Sequence, residues 1–300
     1  MSLNGWIIYN GNLPGKVFLD YAEWMQEAAF QKDINTTIYQ NNELLVYLTS
    51  NSLDLVTKAT EIKLPDFVIF SDKDIYLAKH LETLGVRVFN SARSIEVSDD
   101  KIATYQILAE RKLRIPNTII APKLFGLTPD LDIGFTKYVE DKLGYPMIIK
   151  EAYGSFGEQV YLIETKEEMN EKVVQLIGKP FIFQEFIATS FGKDLRLHVV
   201  GNQVVASMIR KSKKDFRANI TAGGTMEAYH PTHEEKNLAI AATKAIGADF
   251  AGVDLLFGPD NEPIICEINS NAHIRNLYDC TKINVADFMI DYIVNRLKVK

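Results

Sequence analysis

The chain has 300 residues, 47% of them hydrophobic and 24% charged, with a formal net charge of -6. This length predicts about two domains, the composition excludes a disordered or low-complexity chain, and the acidic balance excludes the basic footprint of a nucleic-acid binder. No apolar run approaches the roughly 20 residues that cross a bilayer, no secretory leader is legible, and Cys266 and Cys280 are too few for a disulfide framework or a zinc site. The expected compartment is the cytoplasm.

In chain order, Trp6-Ile7-Ile8-Tyr9 reads as a short strand, and Val17, Tyr21, Trp24, Met25 and Ala28 recur at helical spacing. A second strand is expected over residues 36–39. Asp66-Phe67-Val68-Ile69-Phe70, a helix over 74–84 ended by Gly85, and Val86-Arg87-Val88-Phe89 repeat the cycle, the pattern of a parallel sheet with crossover helices. Ser98 is the expected N-cap of a helix through Leu113, which Pro116 cannot continue. Residues 146–150 read as a strand, followed by a glycine-containing loop at 154–157, and Thr165 with Glu168 forms a capping box. Residues 181–187 are again extended. Two strands around Gly201-Asn202 read as an antiparallel hairpin. Thr232 with Glu235 opens a helix that Gly247 closes. Two strands then flank residues 258–261. The last helix begins at Asn284 and is expected to bury Val285, Phe288, Met289, Tyr292 and either Ile293 or Val294.

Residues two apart on a strand share a face, so Glu267 and Asn269 project together while Cys266 and Ile268 are expected to face the core. The turn before them folds Asp254 alongside. Three hard oxygen donors on an otherwise apolar hairpin suit magnesium with phosphate oxygens completing its octahedron, although two polar residues on a half-exposed strand face give the same pattern. Lys150 ends a strand and precedes a small-residue loop, Glu151 to Gly157, whose backbone amides could approach phosphates or form an ordinary hairpin tip. Lys101 near a helix start is ambiguous by itself, and neither a P-loop nor Gly-x-Gly-x-x-Gly is present. Asp194, Arg196 and His198 alternate with Leu195, Leu197 and Val199, making one ionic and one apolar face. Arg210, Lys211, Lys213, Lys214 and Arg217 follow, either as a solvated cluster or as a basic wall for phosphate and carboxylate.

Taken together in this order, the segments resemble the RimK-type carboxylate–amine ligases of the ATP-grasp superfamily over essentially the whole chain. The resemblance is carried by Asp100-Lys101, Tyr145-Pro146-Met147-Ile148-Ile149-Lys150, Gln184-Glu185-Phe186-Ile187 and Gly192-Lys193-Asp194-Leu195-Arg196. It continues through Phe216-Arg217-Ala218-Asn219, Ala251-Gly252-Val253-Asp254-Leu255-Leu256 and Glu267-Ile268-Asn269-Ser270-Asn271. It implies a mixed α/β and α+β chain with the ATP-grasp fold. Residues 1–95 would form an α/β pre-ATP-grasp domain, 96–187 a central lobe with the phosphate loop, and 188–300 a C-terminal lobe with the metal site. By the same resemblance Lys101 and Lys150 contact the nucleotide phosphates, Glu185 and Phe186 form the linker that reads adenine, and Asp194 holds the ribose. Arg217, Ala218 and Asn219 lie along the triphosphate, Arg196 and Arg210 face the reacting carboxylate, and Asp254, Glu267 and Asn269 ligate two Mg2+ ions, for which Mn2+ can substitute. The sequence departs from the family at Gln159, where a further glycine is common, and at Ala272-His273-Ile274-Arg275, where Pro-Gly is common.

The implied activity transfers the γ-phosphoryl of ATP to a carboxylate, after which an amine displaces phosphate. An amino acid such as glutamate would be added to a small molecule, peptide or protein. Charge on the phosphoryl oxygens explains the surrounding metals, lysines and arginines, and residues 153–160 are expected to act as a lid. The alternatives are another ATP-grasp synthesis of dipeptide or glutathione-like type, or an ATP-binding regulatory module without turnover. Expected partners are carboxylate and amine substrates, not nucleic acid or membrane, with homo-oligomerisation left open. Replacing Asp254 or Glu267 by Ala is expected to stop ADP formation and leave the fold intact.

Overall fold

The computed structural model describes residues 3–58, 62–126, 132–154, 157–218 and 224–298. The opening apolar run forms β1 (Asn4–Tyr9), and α1 (Val17–Phe30) crosses over to β2 (Asn35–Gln40), which pairs with β1 in parallel. An exposed hairpin follows, β3 (Leu45–Leu48) with β4 (Leu53–Val56), unexpected from the sequence because its four-residue strands carry no clean alternation. Next come β5 (Phe67–Ser71), α2 (Ile75–Thr83), whose N-cap Asp74 accepts from the Leu77 amide, and β6 (Arg87–Phe89). The parallel order is β2-β1-β5-β6, and β1 and β5 are buried because helices cover them.

Two helices, α3 (Ala92–Asp99) and α4 (Lys101–Glu110), stand where one was expected from Ser98 to Leu113. Asp100 is extended between them, and its carboxylate accepts from the Ile102 and Ala103 amides. Ser98 Oγ is committed instead to Ile95 O and Ser270 Oγ. Aspartate caps a helix as well as serine does, and this cap makes Lys101 the first helical residue.

The central sheet contains β7 (Thr118–Ile120), β8 (Met147–Glu151), β9 (Val160–Ile163) and β10 (Phe181–Glu185), antiparallel in the order β7-β10-β8-β9. The helices α5 (Phe135–Leu143) and α6 (Lys166–Gln175) pack Val139, Met169 and Val173 against Met147, Ile149, Phe181 and Phe183. Thr165 caps α6, but the Glu168 carboxylate accepts from the Glu164 amide, so the expected capping box is only half made.

The third sheet takes β11 (Lys193–Val200), β12 (Gln203–Lys211), β13 (Thr225–Ala228), β14 (Phe250–Phe257) and β15 (Pro263–Asn269) in the order β13-β12-β11-β14-β15. Val200 pairs with Gln203 around the expected two-residue turn. The helix α7 (His233–Ala245) starts at a complete Thr232–Glu235 capping box and lays Ala239 and Ala242 on Leu195, Leu197, Val253 and Ile268. Two last helices, α8 (Arg275–Thr281) and α9 (Val285–Lys298), return to the N-terminal domain. Met289, Ile290 and Ile293 share a core with Met25 and Ala28 of α1 and with Ala206 and Met208 of β12. Phe288 is 38% exposed rather than buried, because the inward stripe runs 285, 286, 289, 290, 293.

Asn90 joins the parallel sheet to the third sheet. It is fully buried; its Oδ1 accepts from the Asp249 and Phe250 amides at 2.7 and 3.2 Å, and its Nδ2 donates to Phe250 O and Ser270 O at 2.8 and 2.9 Å. Asn90→Ala leaves four buried backbone groups without these partners and should destabilise the protein by about 2–4 kcal/mol in chemical denaturation. A loss under about 0.5 kcal/mol would contradict this role.

Candidate active site

The chemistry-bearing side chains meet on the face of the third sheet opposite α7. Arg196 pairs directly with Asp254, Asp194 with Arg210, Asp254 with Glu267 and Asn269 with Gly252. Directly opposed residues share a face, so the strands carry Asp194, Arg196, His198, Arg210, Asp254, Glu267 and Asn269 together while Leu195, Leu197 and Val253 enter the α7 core. The pairing shifts between Asp254–Glu267 and Leu255–Ile265, leaving Cys266 as an extra residue in a bulge. Cys266 therefore does not face the core as expected; its Sγ lies 3.8 Å from Lys150 Nζ. A Cβ at Gly252 would fall 2.5 Å from Ala272 Cβ, so residue 272 packs directly over the strand beside Asn269.

An ion network runs through this face. Arg196 donates from Nε and Nη2 to Asp254 Oδ1 and Oδ2 at 2.7 and 2.6 Å, Arg210 donates in the same way to Asp194 at 2.7 Å twice, and Arg210 Nη2 also reaches Asp254 Oδ2 at 2.9 Å. Burial raises the pKa of Asp254, but Arg196 and then Arg210 outweigh it and hold the carboxyl below its ordinary range. The arginine expected to face a substrate carboxylate thus holds a protein carboxylate here, and both oxygens of Asp194, expected at a ribose, hold Arg210.

The lysines approach from the start of α4 and from β8 of the central sheet. Lys101 Nζ lies 4.0 Å from a Glu267 oxygen and donates to Gly154 O at 3.3 Å; burial lowers its pKa, partly offset by Glu267. Buried Lys150 donates to the Tyr105 hydroxyl at 3.4 Å. That hydroxyl in turn donates its proton to Cys266 O at 2.6 Å, with Gln184 Oε1 3.3 Å away. Arg217 donates to Gly157 O at 2.7 Å and forks onto Asp215. Lys101 and Arg217 therefore anchor the two ends of the glycine loop, and the Gln159 side chain fills the space a Cβ on Gly154 would need. Glu185 accepts from the Asn117 side chain at 2.8 Å, and Phe186 lies against Phe191 and Phe216. Ala218 is buried. Asn219, and residues 155 and 156 of the loop, lie outside the described residues. Lys211, Lys213 and Lys214 are exposed, and Lys211 pairs with Glu227, so they do not form the basic wall.

The donor set fits a divalent cation that arrives with an anion. Asp254 uses three of roughly four carboxylate acceptor positions, Glu267 is partly exposed, and Asn269 Nδ2 is buried with no hydrogen-bond partner among the described residues. Three carboxylates, Asp194, Asp254 and Glu267, meet four cations, Lys101, Lys150, Arg196 and Arg210. That balance favours a magnesium–phosphate complex over a bare ion. Tyr105 and Asp215 escaped the sequence reading, because a tyrosine inside a helix and an aspartate two residues before an arginine carry no distinguishing pattern.

The polar face ends in two histidines. His198 is buried with neither ring nitrogen hydrogen-bonded among the described residues, and burial followed by Arg196 lowers its pKa to about 3. His273 lies against Phe18 and Tyr21, and Arg275 forks onto Asp20 and stacks on Trp24, so the segment departing from the family pattern ties the third sheet to α1.

Two tests follow from this geometry. Asp254→Ala strands two arginines and, contrary to the expectation of an intact fold, should cost about 3–5 kcal/mol, whereas Glu267→Gln should denature close to wild type; equal denaturation midpoints for wild type and Asp254→Ala would contradict the network. An unfolded chain protonates His198 near 6.5 and the folded one near 3, so stability is retained above 6.5 and lost as the pH falls. His198→Leu should remove about 2 kcal/mol of the stability loss between pH 7 and pH 5, measured by urea denaturation at both values; an unchanged acid loss would rule out the buried neutral ring.

Residues 98–293 match the model of the RimK-like ATP-grasp domain. Human N-acetylaspartylglutamate synthase A is 31% identical over 90% of this chain and 68% of its own length. A probable alpha-L-glutamate ligase of Coxiella burnetii is 33% identical over 74% of this chain and 72% of its own. Among solved structures, the ATP-grasp ligase PsnB, complexed with a phosphomimetic variant of its minimal precursor, Mg and ADP, superposes with a TM-score of 0.70 at 17% identity, covering 99% of each chain. With the family model spanning most of the chain and the relatives matching across most of their own length, this protein belongs to the RimK-like ATP-grasp family.

Proposed function

We propose that this chain is an ATP-dependent carboxylate–amine ligase that joins an α-amino acid, glutamate first, to a small acidic molecule or a peptide end through an acyl phosphate. The observation that carries the reading is the shared face of Asp254, Glu267 and Asn269, with the Lys101 ammonium 4.0 Å from Glu267. It is supported by two relatives named for glutamate chemistry and by a ligase of the same fold captured with magnesium and ADP.

In this reading Asp254, Glu267 and Asn269 hold magnesium, as two ions or with manganese in its place. The metal neutralises charge on the transferring phosphoryl group. Lys101 and Lys150 bind phosphate oxygens, and Arg217, Ala218 and Asn219 flank the triphosphate. The backbone of Glu185 and Phe186 receives adenine, and Asp194 offers its remaining lone pairs to the ribose while orienting Arg210. A substrate carboxylate oxygen attacks the γ-phosphorus, the bond to the bridging oxygen breaks and ADP leaves. Arg196 and Arg210, already desolvated, stabilise charge there without reorganising. The amine nitrogen then forms the C–N bond as phosphate departs, losing its proton to solvent. The loop around Gly154 and Gly157 keeps water from the acyl phosphate.

An ADP-release assay over a panel of carboxylates, N-acetyl-L-aspartate included, crossed with amino acids tests this. Wild type should release ADP only with magnesium and a matching pair, and Glu267→Gln should lower kcat by about 100-fold or more with an unchanged melting temperature. Thermal stabilisation by ATP and magnesium without ADP from any pair would sink the ligase reading and leave a binding module.

A further inference from the structure

The carboxyl end of the parallel sheet holds a charge that the mechanism above does not use. The chain runs from β1 to β2 on one side, yet β5 lies on the other side of β1, so strand order reverses between β1 and β5. Ligands of open parallel sheets bind beyond the carboxyl ends of the strands at such a reversal. Asn10 follows β1 and Asp72 follows β5 at this point. Asn10 Nδ2 donates to the two Asp72 carboxylate oxygens at 3.2 and 3.4 Å, and the Lys73 amide donates to Oδ1 at 2.7 Å. The Asp72 main-chain oxygen accepts from Asn271 Nδ2 at 2.7 Å, two residues beyond Asn269, so this corner is bolted to the end of β15.

Asp72 is 7% exposed. The other buried carboxylates have a cation or a helix start: Asp194 and Asp254 have Arg210, Glu151 has Lys179 at 2.9 Å, and Glu235 closes the first turn of α7. Asp72 has neutral amides, and among the described residues no lysine, arginine or histidine nitrogen lies within ion-pairing distance of it; the Lys73 ammonium pairs with Asp99. Burial raises its pKa above the ordinary range. The Lys73 charge acts on Asp72 only as a minor lowering influence. A buried carboxylate without a directly paired cation is costly, and that cost is offset when a ligand supplies the cation.

We propose that Asp72, oriented by Asn10 and the Lys73 amide, receives the α-ammonium of the incoming amino acid, which gives up one proton to solvent before its neutral nitrogen attacks the acyl phosphate, and so makes this ligase select amino acids over uncharged amines. The assignment rests on the ligase reading above and adds a subsite in the N-terminal domain to a centre built on the other two sheets.

The test compares two nucleophiles on wild type and Asp72→Asn, using whichever panel carboxylate wild type activates. L-glutamate carries an ammonium, whereas hydroxylamine is uncharged at neutral pH and traps the acyl phosphate as a hydroxamate. The ratio of amide to hydroxamate should fall roughly tenfold or more in Asp72→Asn, with a raised KM for glutamate. Equal loss of both products, or an unchanged ratio, overturns the subsite. Calorimetry on wild type with magnesium and ADP needs no variant: L-glutamate should bind roughly tenfold or more tightly than glutarate, which keeps both carboxylates and lacks the ammonium, and equal affinities overturn the proposal. Failure of wild type to form hydroxamate from any carboxylate removes the ligase reading, and the calorimetric comparison still decides the subsite.

Discussion

The interlocked pairs Arg196–Asp254 and Arg210–Asp194, with Arg210 bridging to Asp254, are the constraint on which the rest of the centre depends. Two arginines and two aspartates sit inside a sheet whose other face packs Leu195, Leu197 and Val253 against α7, and each charge is tolerable there only because its partner is fixed across an adjacent strand. Antiparallel register supplies that fixation. Arg196 lies directly opposite Asp254, and Asp194 directly opposite Arg210, so no loop has to be ordered to bring them together. The arginines are thus positioned and desolvated before substrate arrives, which is the condition under which charge stabilisation contributes most to phosphoryl transfer. The same network shapes the face proposed for the metal. Asp254 keeps one acceptor position, Glu267 stands partly open and Asn269 presents a buried amide, an arrangement suited to a divalent ion that arrives with phosphates to complete its shell.

The glycine loop is held by the same kind of charge. Lys101 and Arg217 each spend a donor on a glycine carbonyl, at Gly154 and Gly157. Triphosphate oxygens are stronger acceptors for cations than backbone carbonyls, so in the proposed nucleotide site these same donors would couple the loop to the nucleotide.

The N-terminal domain is joined to this centre by buried polar contacts as well as by packing. Asn90 satisfies four backbone groups of the third sheet, Asn271 reaches Asp72, and Arg275 reaches Asp20 and Trp24. The core shared by α1, α8, α9 and β12 closes the same junction with apolar surface. These contacts join the residues that follow β5 and β6 to those that follow β15.

Much of this was readable from the chain. Alternation on residues 194–198 and 267–269 assigns faces because a strand repeats every two residues, and the Gly201-Asn202 turn and the Thr232–Glu235 cap are local chemistry that needs no partner. Where local signals compete, sequence does not decide: Ser98 and Asp100 are both good caps, and Ser98 Oγ is committed to Ile95 O and, 172 residues away, to Ser270 Oγ, which leaves the cap to Asp100. Cys266 was placed in the core because sequence cannot show a bulge in a pairing register. Which arginine holds which aspartate, which buried carboxylate lacks a cation, and which amide spans the junction at Asn90 depend on contacts distant in sequence. The sequence by itself determined most strands and helices of the first and third sheets, because those follow from local periodicity and caps, and the order of its motif segments carried the family resemblance; the tertiary structure alone decided the pairing of charges, because that is set by cross-strand register and by packing between elements distant in sequence.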